Sequence, residues 1–173
     1  MSEARSSELE TYERLLCSHL EAMTQRLRLI PADQWDWSPD PAAPTARMLA
    51  KHAWQWLQCD RQHIWQPDPS KHPLIPEPPG DPLAMCDLLS QETEEWRRLI
   101  RGLTPEKLDE PRSQFDSGPV LNVRWFLYHM IQNSIYKHGQ LSVLFFALGL
   151  DGTEPYSAPF PNPIYEECYG SNI

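Results

Sequence analysis

Hydrophobic spacing divides the chain into four long segments with the 3.6-residue repeat of amphipathic helices, separated by proline-rich connections. Between Ser6 and Leu29 the apolar residues Leu9, Tyr12, Leu16, Leu20, Met23 and Leu27 form one face of a first helix, which Pro31 ends. The connection PADQWDWSPDPAAP sets four prolines around Trp35 and Trp37, which predicts an ordered, irregular crossing with both indoles laid on the body. Thr45 is placed to cap a second helix through RMLAKHAWQWLQCDRQHIW, stopped before Pro67. Residues 66–80, QPDPSKHPLIPEPPG, hold six prolines and read as a surface crossover of polyproline character. Asp81 as cap and Pro82 at the first position open a third helix, with Cys86, Leu89, Thr93, Trp96, Leu99, Ile100 and Leu103 on one stripe and Gly102 and Pro105 at its close. Asn122 caps a fourth segment, NVRWFLYHMIQNSIYKHGQLSVLFFALGL, which is apolar on most sides and so predicts the most buried element. No stretch alternates with a period of two for long enough to predict a sheet.

The pattern therefore predicts an all-α fold, an up-down four-helix bundle with long connections, as a single domain over residues 1–173. Its tail, 151–173, carries Tyr156, Phe160, Tyr165 and Tyr169 between prolines. So aromatic a segment is expected to be non-helical and packed on the body or on a second subunit.

Composition narrows the function classes. A chain of 173 residues suits one domain and can bury roughly 70% of its unfolded surface. Fifteen Lys and Arg against 24 Asp and Glu give a net charge of −9 with no basic cluster, which argues against a nucleic-acid surface. No apolar run approaches the roughly 20 residues that span a bilayer, and the start MSEARSSELE lacks the basic and apolar parts of a secretory signal. No membrane association and a cytoplasmic location are expected. Cys17, Cys59, Cys86 and Cys168 form no CxxC pair and read as thiols. GxSxG, HExxH and glycine-rich phosphate-loop motifs are missing, and no carboxylate pair stands out by its spacing.

What remains is a set of polar residues on helical faces. His52, Trp56, Cys59 and His63 share one side of the second helix, expected to face the core. His129, Asn133 and Lys137 recur at i, i+4 and i+8 on the fourth, with His138 on roughly the opposite side. Imidazoles that project inward from facing helices can converge on a metal ion, but two are too few for a closed site. Lys137 either points inward or runs its stem out to solvent. His63, His72 and His138 are expected on the surface or in loops.

The order of elements, the mid-helix His52, the connection LTPEKLDEP and the string HMIQNSIYKHGQL followed by ALGL together resemble the DinB/YfiT-like superfamily, over nearly the whole chain. The resemblance implies a four-helix bundle, frequent homodimers, and a divalent metal, usually zinc or nickel, held by one His of the second helix and two of the fourth. Some such proteins transfer low-molecular-weight thiols, others are assigned as hydrolases, and many have no known activity. His52 matches the second-helix ligand and His129 a histidine often found where the fourth-helix signature starts. Asn133 and Lys137 stand where further histidines are expected, so whether the pair falls at 129/133 or 133/137, at least one member is not His. Asn is a poor zinc ligand and a protonated Lys repels a cation.

The expectation is a metal-deficient small-molecule binding or dimerisation scaffold, a homodimer, with His52, Trp56, Cys59, His129, Asn133 and Lys137 as pocket residues. It holds no cofactor, or a divalent metal (Zn or Ni) bound weakly through His52 and His129. The alternative is a metal-dependent thiol S-transferase or hydrolase using His52 and His129 with a third ligand from His63, Asp60 or a glutamate of the third helix.

Overall fold

A computed structural model describes residues 3–114 and 118–150, with side chains from residue 8 onward. Four helices dominate it: α1 (Glu3–Leu29), α2 (Ala46–Trp65), α3 (Pro82–Gly102) and α4 (Val123–Ala147). Three of their starts are fixed by the side chains that the sequence marks as caps, each satisfying an amide that the first turn leaves free. Thr45 Oγ1 accepts from the Met48 amide at 3.2 Å, Asp81 Oδ1 from Ala84 at 2.8 Å, and Asn122 Oδ1 from Trp125 at 2.9 Å. The end of α4 is a glycine cap. Gly149, at φ 68°, donates to the Phe146 carbonyl at 2.9 Å while Leu150 reaches back to Phe145 at 3.2 Å, a pair of bonds that needs the left-handed backbone.

Leu16, Leu20, Met23 and Leu27 of α1, Leu49 and Leu57 of α2, Leu89 and Trp96 of α3, and Phe126, Leu127 and Met130 of α4 close one apolar core. The all-α four-helix bundle expected from the periodicity is thus present. Helix α1 packs on α3 and α4, and α2 packs on α4 and α3, so the order around the bundle is α1, α3, α2, α4. Sequence neighbours α1 and α2 stand diagonally, as do α3 and α4, which is why the chain needs long connections there. An ion pair with a buried carboxylate fastens α2 to α3: Arg61 Nε meets Glu92 Oε1 at 2.5 Å, and Gln58 donates to the same carboxylate. No helix among the described residues is long and apolar enough to cross a membrane.

The connections differ from expectation in two respects. Trp35 is buried on the body but Trp37 is exposed, so only one of the two indoles is packed away. The α3–α4 connection contains a small antiparallel hairpin, β1 (Pro111–Ser113) with β2 (Val120–Asn122), pairing Arg112 with Leu121. Strands of three residues are too short to show a period of two, so no alternation announced them. The buried Arg112 sends Nε to the Ile64 carbonyl at 3.0 Å and so lashes this hairpin to the end of α2. In the 66–80 crossover, Asp68 caps a one-turn helix, Pro69–Lys71. The aromatic tail lies outside the described residues.

Candidate functional site

The deepest face of α2 is formed by Leu49, Ala53, Leu57, Asp60 and Ile64. Helical geometry sets His52, Trp56, Cys59 and His63 to one side of that face, so they line the seam with α4 instead of the core. Their burial follows: His52 is exposed, Trp56 and Cys59 are half-buried, and only His63 is fully enclosed. The expectation that this whole side faces the core is corrected accordingly.

Across the seam, His129 Nδ1 meets Asp60 Oδ2 at 2.5 Å. A carboxylate only accepts, so Nδ1 carries the hydrogen and Nε2 is the nitrogen left for other chemistry. The Asp60 side chain is wholly buried, with Oδ1 unpartnered among the described residues, whereas that of His129 is a quarter exposed. The imidazole is also held by aromatic rings. Trp125 stacks on it with centroids 5.1 Å apart, and Trp56 meets it edge-on at 5.3 Å. The Asp60 hydrogen bond raises the His129 pKa above its ordinary value, and burial raises that of Asp60. Both directions favour a proton retained between the two groups.

One turn before Trp56 in α2, His52 Nε2 accepts the Trp56 indole N–H at 3.0 Å. Its pKa is lowered by burial and then by the charge of Lys137. Lys137 does not run out to solvent. It is buried, with its ammonium 5.4 Å from the Tyr136 ring centroid and 3.5 Å from Gln140 Oε1, and burial lowers its pKa. Between these levels Asn133 holds a buried Oδ1 with no partner among the described residues. His138 faces the other way, as its position predicts, but it is not the surface residue expected: it is half-buried against α1, with Nδ1 3.2 Å from that of His19 and Nε2 inaccessible. The expected surface position of His63 is overturned: it stacks on Phe126 at 5.0 Å, touches His72 edge-on at 4.5 Å, and lies 3.6 Å from the Cys59 sulfur.

The seam does not fit a three-imidazole metal centre. Trp56 lies against both His52 and His129, Asn133 offers an amide, and the Lys137 charge acts on His52 and would repel a cation bound there. Among the described residues no three His, Cys, Asp or Glu side chains are gathered into a ready metal site. Asp60 is engaged with His129 instead of standing beside it as a further ligand, and His63 lies at another level. Sequence reading named Asp60 only as a substitute ligand. The signal for its role was its place on the inward stripe Ala53, Leu57, Asp60, Ile64, where a lone carboxylate needs a partner.

Two solved structures from Bacillus subtilis share this architecture. One is a DinB-like protein, YjoA, at 19% identity and TM-score 0.66, the match covering 88% of this chain and 95% of that one. The other is YfiT, at 15% identity and TM-score 0.66, covering 86% and 90%; it is described as "a probable metal-dependent hydrolase with an unusual four-helix bundle topology". Among curated proteins none matches the chain. The family model of the DinB superfamily matches residues 16–141, and with that match over most of its length the chain belongs to the DinB superfamily.

Proposed function

We propose that this DinB-superfamily protein binds a small polar molecule at the α2–α4 seam and handles it by hydrogen bonding and proton transfer, in place of a three-imidazole metal centre. The observation that carries the reading is the 2.5 Å contact between the buried Asp60 and His129. A buried carboxylate fixes the imidazole's tautomer and stabilises its protonated form, which are the two requirements for a general base that works near neutral pH. Trp125 and Trp56 hold the ring in place, and the Lys137 ammonium adds a positive charge suited to an anionic substituent.

Esterolysis by the full chain after chelator treatment tests this, with p-nitrophenyl acetate as probe. A water molecule gives its proton to His129 Nε2 while its oxygen bonds to the acetyl carbon; the bond to nitrophenolate breaks, and the proton then passes to solvent. The expected outcome is a rate unaffected by chelation, abolished in His129→Gln, and reduced about 100-fold in Asp60→Asn. A second reading is supported by the same contact, because carboxylates also orient histidines that ligate metals, and by the words used of YfiT. Activity that requires an added divalent cation and disappears in His52→Ala would favour that reading and overturn the first.

A further inference from the structure

The exposed residues of α4 make one uncharged face along the helix. Tyr128, Gln132, Ile135, Tyr136, Val143 and Phe146 fall on one stripe at three- and four-residue spacing, and all are exposed, Tyr128, Tyr136 and Val143 by more than half. Gly139 lies in the same stripe with open space over its Cα. Between Tyr128, Ile131, Gln132, Ile135 and Tyr136 the face opens into a groove of about 510 Å³. The outer face of α3 shows the usual contrast, since Asp87, Glu94, Arg98 and Arg101 meet the water there. A helix that is apolar on its solvent side as well as toward α1 and α2 has the pattern of an element covered all round, and an exposed stripe of this extent marks a docking surface.

Two features of the chain say what covers it. The first is where the chain leaves the helix. Leu150 donates to the Phe145 carbonyl at 3.2 Å and packs, with Leu148, against the core, so the backbone has already folded back over the last turn of α4 where the segment 151–173 begins. From Phe146 back to Tyr128 is about 27 Å along the helix at about 1.5 Å per residue. A polyproline run covers that distance in about nine residues at about 3.1 Å each, so the segment reaches the groove with more than half its length to spare.

The second feature is composition. Pro155, Pro159, Pro161 and Pro163 favour the extended polyproline form, which leaves its carbonyls free to accept, and Tyr156, Phe160, Ile164 and Tyr165 are apolar bodies that gain by cover. Proline-rich segments bind grooves lined by aromatic rings. Here Tyr128 and Tyr136 wall the groove, and the Gln132 amide and the tyrosine hydroxyls are donors for such carbonyls. A segment tied to the end of the same helix is present at roughly millimolar effective concentration, which favours it over a separate partner.

We propose that residues 151–173 bind in cis along the exposed face of α4, with the run 155–163 extended over the groove between Tyr128 and Tyr136. The tail then runs antiparallel to α4 and closes this face to a second copy of the chain. The proposal is independent of the chemistry read at the α2–α4 seam.

Limited chymotrypsin digestion of the full chain, with the fragments weighed by mass spectrometry, is the test, because cleavage follows the fraction of time for which a segment is released. The bonds to follow are those after Tyr156, Tyr165 and Tyr169. They should be cut about tenfold or more slowly than in the synthetic peptide 151–173. Ile135→Glu and Tyr136→Glu put a charge into the groove and should each bring cleavage close to the peptide's rate, whereas Gln91→Glu on the outer face of α3 should leave it slow. Melting temperatures confirm that each variant is folded. Diluting the wild type about a hundredfold should not change the rate, since tail and face belong to one chain. Cleavage of the wild-type tail at the peptide's rate would overturn the proposal, and so would protection that both face variants leave intact, which puts the tail elsewhere. Protection lost on dilution, with light scattering showing a dimer at the higher concentration, would also overturn it by giving the face to a second copy.

Discussion

Lys137 is the residue at which the seam departs most from an imidazole cluster. Its side chain is largely covered while the ammonium, over the Tyr136 ring, has one distant acceptor, Gln140, so the charge loses part of its hydration and regains little. Lys137→Met keeps the unbranched stem but for its last atom and removes that cost, so melting temperature should stay the same or rise by a few degrees. The same substitution removes the positive charge that holds down the His52 pKa, and His52 should then titrate at higher pH by NMR. A His52 titration that does not move would mean that the ammonium does not face it. The residue-scale lesson about legibility is mixed. Spacing alone places His129, Asn133 and Lys137 on one side of α4, and the position of His129 against Trp56 of α2 follows from that. The Asp60–His129 contact was not legible in the same way, because periodicity gives the face a side chain points to but not its partner across a helix pair.

At the scale of elements, the sequence marks helix ends better than helix neighbours. Thr45, Asp81, Asn122 and Gly149 act locally, each through bonds to atoms within a few residues, so their roles can be read from the chain itself. Which helices touch is decided by contacts such as Arg61 with Glu92, 31 residues apart, and nothing local to either residue announces the other. The hairpin escapes the hydrophobic pattern for a related reason: its strands are short and gain their place through Arg112 and the end of α2. Arg61–Glu92 is nonetheless testable. Glu92 is nearly inaccessible while Arg61 is about a fifth exposed, so Arg61→Ala leaves a buried carboxylate with Gln58 as its remaining donor. The expected loss is about 3 kcal/mol in urea unfolding. Replacing Arg61 by Met and Glu92 by Leu together should cost much less than the sum of the single changes, since both charges leave the interior at once. Additive losses would show that the pair acts independently and does not fasten α2 to α3.

Over the whole molecule, the histidines give stability a pH dependence of definite sign. Burial lowers the pKa of His19 and His52, and takes His63 and His138 from 6.5 to about 4, helped by His72 at the former and by His19 and Arg26 at the latter. Each of these rings is neutral in the folded chain where the unfolded chain would take a proton, so each contributes stability above pH 6.5 that is lost as pH falls toward 4. His129 acts in the opposite sense. Its raised pKa stabilises the fold below 6.5 and stops doing so as pH rises through its folded value, while the raised Asp60 carboxyl also favours the fold on acidification. His63 and His138 carry the large shifts, and both act in the first sense, so the melting temperature should fall by several degrees between about pH 7 and about pH 4.5, at about 2–4 °C per kcal/mol for a chain of this size. His138→Gln retains a side chain that can hydrogen-bond to His19 but removes one of the groups that titrate, and should flatten the dependence. A melting temperature constant across that range would mean that these rings are not held neutral, and with them the enclosed character of both the α1–α4 contact and the His63 ring would be lost.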